Sequence, residues 1–146
     1  MESTAFVESL KELMLDYKIG VNQLAEKIQC DKAAIRRWLY GMYLPDPETI
    51  FKIADTFQIS ADYLFGLSDR KDYIRQPQST TFYERYAKLR DLRKDSDYTV
   101  SKECAIRDSA ISKWKTIKKF PTTVSLLKLS AYFHCSLDYL LGRSSN

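Results

Sequence analysis

One histidine, three cysteines, four glycines and four prolines are all that 146 residues contain of these types. Each shortage closes off a class of function. The glycines lie far apart, at 20, 41, 66 and 142, so no glycine-rich phosphate loop can form. A single histidine, with no nucleophile–base pair in view, gives catalysis nothing to rest on, and the sequence does not read as an enzyme. Cys30, Cys104 and Cys135 show no C-x-x-C spacing, and His134 is the only imidazole near any of them. No metal and no cofactor is therefore expected. Nothing in the sequence points to a small-molecule ligand either. No run approaches the ~18 consecutive apolar residues needed to span a bilayer, so no membrane partner is expected. Met1 to Gly20 mixes acids among its apolar residues and lacks a basic leading stretch, so it does not read as a secretory signal. An odd cysteine count without an export signal fits a reducing compartment, and the expected location is the cytoplasm.

What is present is an ordinary globular composition, 45% hydrophobic and 29% charged. The net charge of +4 conceals a division. Residues 1–75 hold ten Lys and Arg against twelve Asp and Glu, whereas residues 76–146 hold thirteen against seven. A basic half suits a polyanionic partner, although charge alone is also what a solvated face looks like.

The chain repeats itself at an offset of 76 residues. Ile35-Arg-Arg-Trp38 returns as Ile111-Ser-Lys-Trp114, Pro45 as Pro121, and Ser60-Ala-Asp-Tyr-Leu-Phe-Gly66 as Ser136-Leu-Asp-Tyr-Leu-Leu-Gly142. Residues 6–66 and 82–142 share 15 identities over 61 ungapped positions. A repeat of this length is a domain, not a local motif. The stretch 67–81 between the copies is rich in Ser, Asp, Arg and Gln and has the composition of a linker.

Each copy reads as five short helices. In the first, Phe6, Leu10, Leu13 and Tyr17 recur at helical spacing, and Leu24 and Ile28 mark a second helix. Asp31 is placed to cap a third helix through Ile35 and Trp38, with Gly41 to end it. Asp46 caps a fourth helix with Pro47 at its first position, where the missing N–H has no partner to lose. Its buried stripe is Ile50, Ile53, Ala54 and Phe57, and Ser60 caps a last short helix closing at Gly66. In the second copy the equivalents are Phe82, Tyr86 and Leu89, then Val100 and Cys104, then Ile111 and Trp114, then Thr122 as cap with Leu126, Leu129 and Phe133. No segment alternates with period two long enough to suggest a sheet.

Two short helices around a tight turn, the second opening at a cap, form a helix-turn-helix unit. Leu24 to Ile28, Asp31, Ile35 to Trp38, Gly41, Pro45 and the ending Ser60 to Gly66, taken in order, resemble the phage-repressor (Cro or XRE) family. The resemblance implies an all-α chain of two tandem five-helix repressor-like domains, residues 1–66 and 82–146, joined by the linker 67–81. It implies a sequence-specific DNA-binding transcriptional regulator, a repressor in the expected case, whose partner is double-stranded DNA. In that family the third helix enters the major groove. Matched by position, Lys32, Ala33, Arg36 and Arg37 would read bases, since Arg and Lys can bond guanine and Ala can touch a thymine methyl. Asn22, Gln23 and Tyr43 would hold the DNA backbone.

The two copies depart from the family pattern differently. Where the family often buries an Arg–Glu pair, the first copy has Met14 and Leu39, a paired change to apolar residues that leaves the fold intact. The second copy has Arg90 and Lys115 there, which cannot pair, and Ile117 in place of Gly41. Its recognition surface would offer Asp108, either repelled by phosphate or serving as helix cap, with Ser109 and Ser112 as candidate base contacts. Lys113, Lys118 and Lys119 suit phosphate contacts, which position without reading sequence. The second domain is therefore expected to add phosphate contacts or to dimerise, and a homodimer is the favoured assembly over one chain on two half-sites. The rival reading is a protein-interaction or oligomerisation module on the same fold. It draws support from Leu39-Tyr-Gly-Met-Tyr-Leu44, which is unusually apolar for a loop facing DNA. The three cysteines stand where the other copy has Ile106, Ile28 and Ile59, so they are expected to be reduced and mostly buried, as small hydrophobes.

Overall fold

Apolar residues at 3.6-residue spacing, with no sustained alternation, leave the helix as the element that buries them while pairing the backbone. The computed structural model describes residues 2–145, and these are all-helical apart from one isolated bridge pair, Ile59 with Asp72. None of the helices is long and apolar enough to cross a membrane. The chain divides into two units, Met1–Arg75 and Gln76–Asn146.

The first unit contains α1 (Glu2–Asp16), α2 (Val21–Ile28), α3 (Lys32–Leu39), α4 (Pro47–Phe57) and α5 (Ala61–Leu64). Its boundaries follow local chemistry. The Asp31 carboxylate accepts from the Ala33 N–H at 3.2 Å, and Asp46 accepts from Thr49 at 2.8 Å with Pro47 opening the helix. The Ser60 hydroxyl accepts from the N–H groups of Asp62 and Tyr63. Each such cap is worth about 1 kcal/mol. Gly41 (φ +73°) follows the end of α3 in the left-handed conformation that a side chain resists. Phe6, Leu10, Leu13, Leu24, Ile28, Ile35, Trp38, Ile50, Ile53, Ala54 and Phe57 are all buried. Tyr17 departs from the expected stripe: it lies past the end of α1, is half exposed, and its ring rests 4.8 Å from that of Phe57. Met14 and Leu39 are half-buried rather than core.

The second unit contains α6 (Phe82–Leu92), α7 (Asp97–Cys104), α8 (Asp108–Thr116), α9 (Thr123–Phe133) and α10 (Leu137–Leu140). All but α6 begin 76 residues after their counterparts. Helix α6 starts later because Thr81 and Glu84 cap it reciprocally, side chain to backbone in both directions. Phe82, Tyr86, Val100, Cys104, Ile111, Trp114, Leu126, Leu129 and Phe133 are buried, while Leu89 is half-buried. The core is more aromatic here, with Trp114 edge-on to Phe82 at 5.3 Å and to Tyr86 at 5.4 Å.

Three details go beyond what the sequence specifies. Residues 67–81 are not a slack spacer. The Ser60 N–H donates to Lys71 O and the Tyr73 N–H to Gln58 O, both at 2.9 Å, and Arg75 pairs with Asp55 at 3.0 Å. On the other side the Gln76 N–H donates to Arg143 O at 2.9 Å. The polar residues that read as linker composition are also the ones able to satisfy a backbone laid along a surface. Second, Arg90 does not pair with Lys115, but it is not stranded: Nη1 meets Asp97 at 2.9 Å and the Tyr83 hydroxyl at 3.0 Å, and Nε meets Asp91 at 3.0 Å. Third, the left-handed residue lost with Gly41→Ile117 reappears one place later at Lys118 (φ +57°), and α8 runs on to Thr116.

Candidate nucleic-acid interface

Helix α3 is held by its apolar side. Ile35 and Trp38 are buried, and α2, capped at its own end by Gln29 in the left-handed region, packs against α3 across the turn. The opposite side carries Lys32 and Arg36 one turn apart, and Ala33 and Arg37 one turn apart. Lys32, Arg36 and Arg37 are exposed and form no ion pair with any described residue, while Ala33 is half-buried. Three cations thus share one helix face with their full donor capacity turned to solvent. Arg presents a planar fork suited to bidentate acceptors, and Lys a point charge.

Asn22 and Gln23 lie in the first turn of α2 and are exposed. Gln23 is partly committed, since its Oε1 accepts from the Gly20 N–H at 2.8 Å and so caps α2. Only its amide N–H groups remain for a phosphate. In the loop after α3, Tyr40 is 82% exposed, Met42 69% and Tyr43 46%, while Leu39 and Leu44 are half-buried. The apolar stretch is therefore surface rather than core, beside the cationic face.

On α8 of the second unit the same positions hold different chemistry. Ser109, Ser112, Lys113, Lys118 and Lys119 are all exposed, and none of the lysines is ion-paired with a described residue. Asp108 is not the helix cap. That position is Arg107, whose side chain caps nothing, and Asp108 occupies the first turn, where a carboxylate favours the helix dipole. The face keeps its cations but moves them towards the end of α8 and the following loop, where the Lys119 N–H is tied to Lys113 O at 3.2 Å.

The cysteines divide. Cys104 is buried as expected, and burial raises its thiol pKa; Cys30 and Cys135 are only half-buried. Both follow left-handed residues, Gln29 and His134, as do their buried counterparts Ile106 and Ile59, so the backbone turn does not account for the difference. No cluster of potential metal ligands exists among the described residues.

Sequence reasoning missed the buried charges of the second unit. Arg85 is 5% exposed and Arg143 0%, the latter bonded to Asp138. The signal was present for Arg85, which stands three residues after Phe82 on the core-facing side of α6. Arg143 lies beyond the last helix, where periodicity says nothing.

No curated protein and no solved structure matches the chain. Residues 10–64, which take in α2, the turn and the exposed cationic α3, match the family model for the helix-turn-helix.

Proposed function

We propose that the protein is a cytoplasmic, sequence-specific DNA-binding transcriptional regulator acting as a repressor, with α3 laid in the major groove. The reading rests chiefly on one observation: a helix-turn-helix match centred on a helix whose outward face carries Lys32, Arg36 and Arg37, none ion-paired with a described residue. Arg36, Arg37, Lys32 and Ala33 read base edges, and Asn22, Gln23 and Tyr43 hold the backbone. The second unit is a divergent copy of the same domain, a reading supported by its five helices at the 76-residue offset. It adds phosphate contacts through Lys113, Lys118 and Lys119, with Ser109 and Ser112 within its groove-facing turn, or it brings two chains together on a palindrome. Selection of bound fragments from a genomic duplex library, repeated across a salt series, tests this. A site bound ~10³-fold tighter than random duplex is expected, with log affinity falling against log salt by ~0.9 per phosphate neutralised.

The rival reading, an interaction module without specific DNA binding, is favoured by exposed Tyr40, Met42 and Tyr43. The same selection separates the two. No enriched site, and no binding even at low salt, would leave the interaction module standing.

A further inference from the structure

The second unit buries a guanidinium that has no carboxylate. Arg90 meets Asp97 at 2.9 Å, Arg93 meets Asp95 at 3.0 Å, and Arg143 is bonded to Asp138. Arg85 is 5% exposed and pairs with no described acid. Its Nη1 donates to the Thr80 carbonyl and hydroxyl and its Nη2 to the Leu140 carbonyl at 3.1 Å, while Nε is buried with no partner. Carbonyl dipoles orient a cation but do not neutralise it, and a buried charge without a counter-ion is costly to hold. A side chain at Gly142 would place its Cβ 3.1 Å from Arg85 Nη2, so the glycine leaves room for the guanidinium as well as adopting φ +80°. The matching position in the first unit is Ser9, so nothing comparable exists there.

Arg85 lines a half-open groove of about 310 Å³ together with Phe82, Trp114, Phe120, Lys118 and Lys119. Aromatic rings form its apolar part, and three cations border it. Glu84, next to Arg85 in the chain, acts on Arg85 and Lys118 only through space, since its carboxylate is turned to the Thr81 N–H at 2.9 Å and forms no ion pair with a described residue. The volume is at the small end of ligand pockets, room for a single ring with its substituent rather than a dinucleotide.

From this juxtaposition we infer that the groove between the start of α6 and the loop after α8 binds a small aromatic carboxylate. The ring lies against Phe82, Trp114 and Phe120, and the carboxylate supplies the ion-pair partner that Arg85, Lys118 and Lys119 do not have among the described residues. The site does not depend on the DNA reading, although it shares Lys118 and Lys119 with it, and its test contains no DNA.

Calorimetric titration of the full chain with phenylacetate, phenylacetamide and acetate reads the site directly. Bonds from a cation to a carboxylate are roughly twice as strong as neutral ones. Phenylacetate is therefore expected to bind about tenfold more tightly than the isosteric amide, and acetate not measurably. Because Arg85→Met risks the fold, the deciding variants are Lys118→Gln with Lys119→Gln, and Phe120→Ala, all at exposed positions. Each is expected to weaken phenylacetate severalfold. Equal binding of acid and amide, absence of phenylacetate binding at millimolar concentration, or affinity unchanged in both variants would overturn the assignment.

Discussion

At one pair of positions the first unit holds Met14 and Leu39, and the second holds Arg90 and Lys115. The first solves the junction with two half-buried apolar chains. The second brings Asp97, in the first turn of α7, to Arg90, and adds the Tyr86 hydroxyl, which donates to the same carboxylate oxygen at 2.7 Å. The first-unit counterpart of Asp97 is Val21. A scaffold of caps and apolar stripes thus tolerates either solution, because both leave no buried group unsatisfied at the junction. The contrast extends outward: the first unit shows unpaired cations on its third helix, and the second buries arginines and carries its lysines at the end of its third helix and in the loop that follows.

The sharpest way to break this comparison is at the ion pair inside the second unit. Asp138→Ala leaves Arg143, 0% exposed, without its carboxylate and is expected to cost about 3–5 kcal/mol. Leu67→Ala, at the first-unit position that matches Arg143, is expected to cost less than about 1 kcal/mol, because Leu67 is 55% exposed. Denaturant unfolding followed for each unit would show it, and equal losses would mean that the buried pair is not what distinguishes them.

On DNA, Arg36→Ala or Arg37→Ala is expected to lose about 1–3 kcal/mol and relax preference at particular base pairs. Lys118→Ala and Lys119→Ala are expected to weaken all sequences alike, each reducing the salt slope by about 1. Were the lysines neutral while Ser109→Ala changed sequence preference, the division of labour would be the reverse.

A third test uses acid. Burial pushes the Asp97 carboxyl upward, but the bonds from Arg90 and Tyr86 outweigh it and hold it below the ordinary 3.8. A depressed carboxyl contributes stability that is complete above its unfolded value and disappears as pH falls through its folded one. The stability gap between wild type and Asp97→Asn is therefore expected to be constant near neutrality and to close below about pH 4. A gap unchanged at pH 2.5 would show that the charge of Asp97 contributes nothing.

The smallest effect concerns the end of the third helix. Gly41→Ala is expected to destabilise by about 1 kcal/mol, since Gly41 sits at φ +73°. Lys118→Gly is expected to stabilise by up to about 1 kcal/mol, and Ile117→Gly not at all, because the left-handed turn has moved to Lys118. Thermal unfolding of the three variants decides whether that one-residue shift is real.

The helix starts were legible because they are local: Asp31, Asp46, Ser60, Thr122 and Ser136 each cap the helix that their own position announces. The candidate face on α3 was legible for a similar reason, since burial of Ile35 and Trp38 leaves positions 32, 33, 36 and 37 facing out. Cys30 and Cys135 show where such reading stops, because a match to a buried isoleucine in the other copy does not specify which side chains pack over the smaller thiol.

An all-helical chain, the five-helix order in each half and the cationic stripe of the third helix are all encoded locally. All of these follow from periodicity and capping within a few residues. Only the tertiary structure decided that Arg90 finds Asp97, that residues 67–75 fold back on the first unit, and that Arg85 lies buried beside Gly142 without an acid. Those depend on contacts between residues distant in sequence, where a charge's partner is chosen by the packed surface around it and not by its neighbours along the chain.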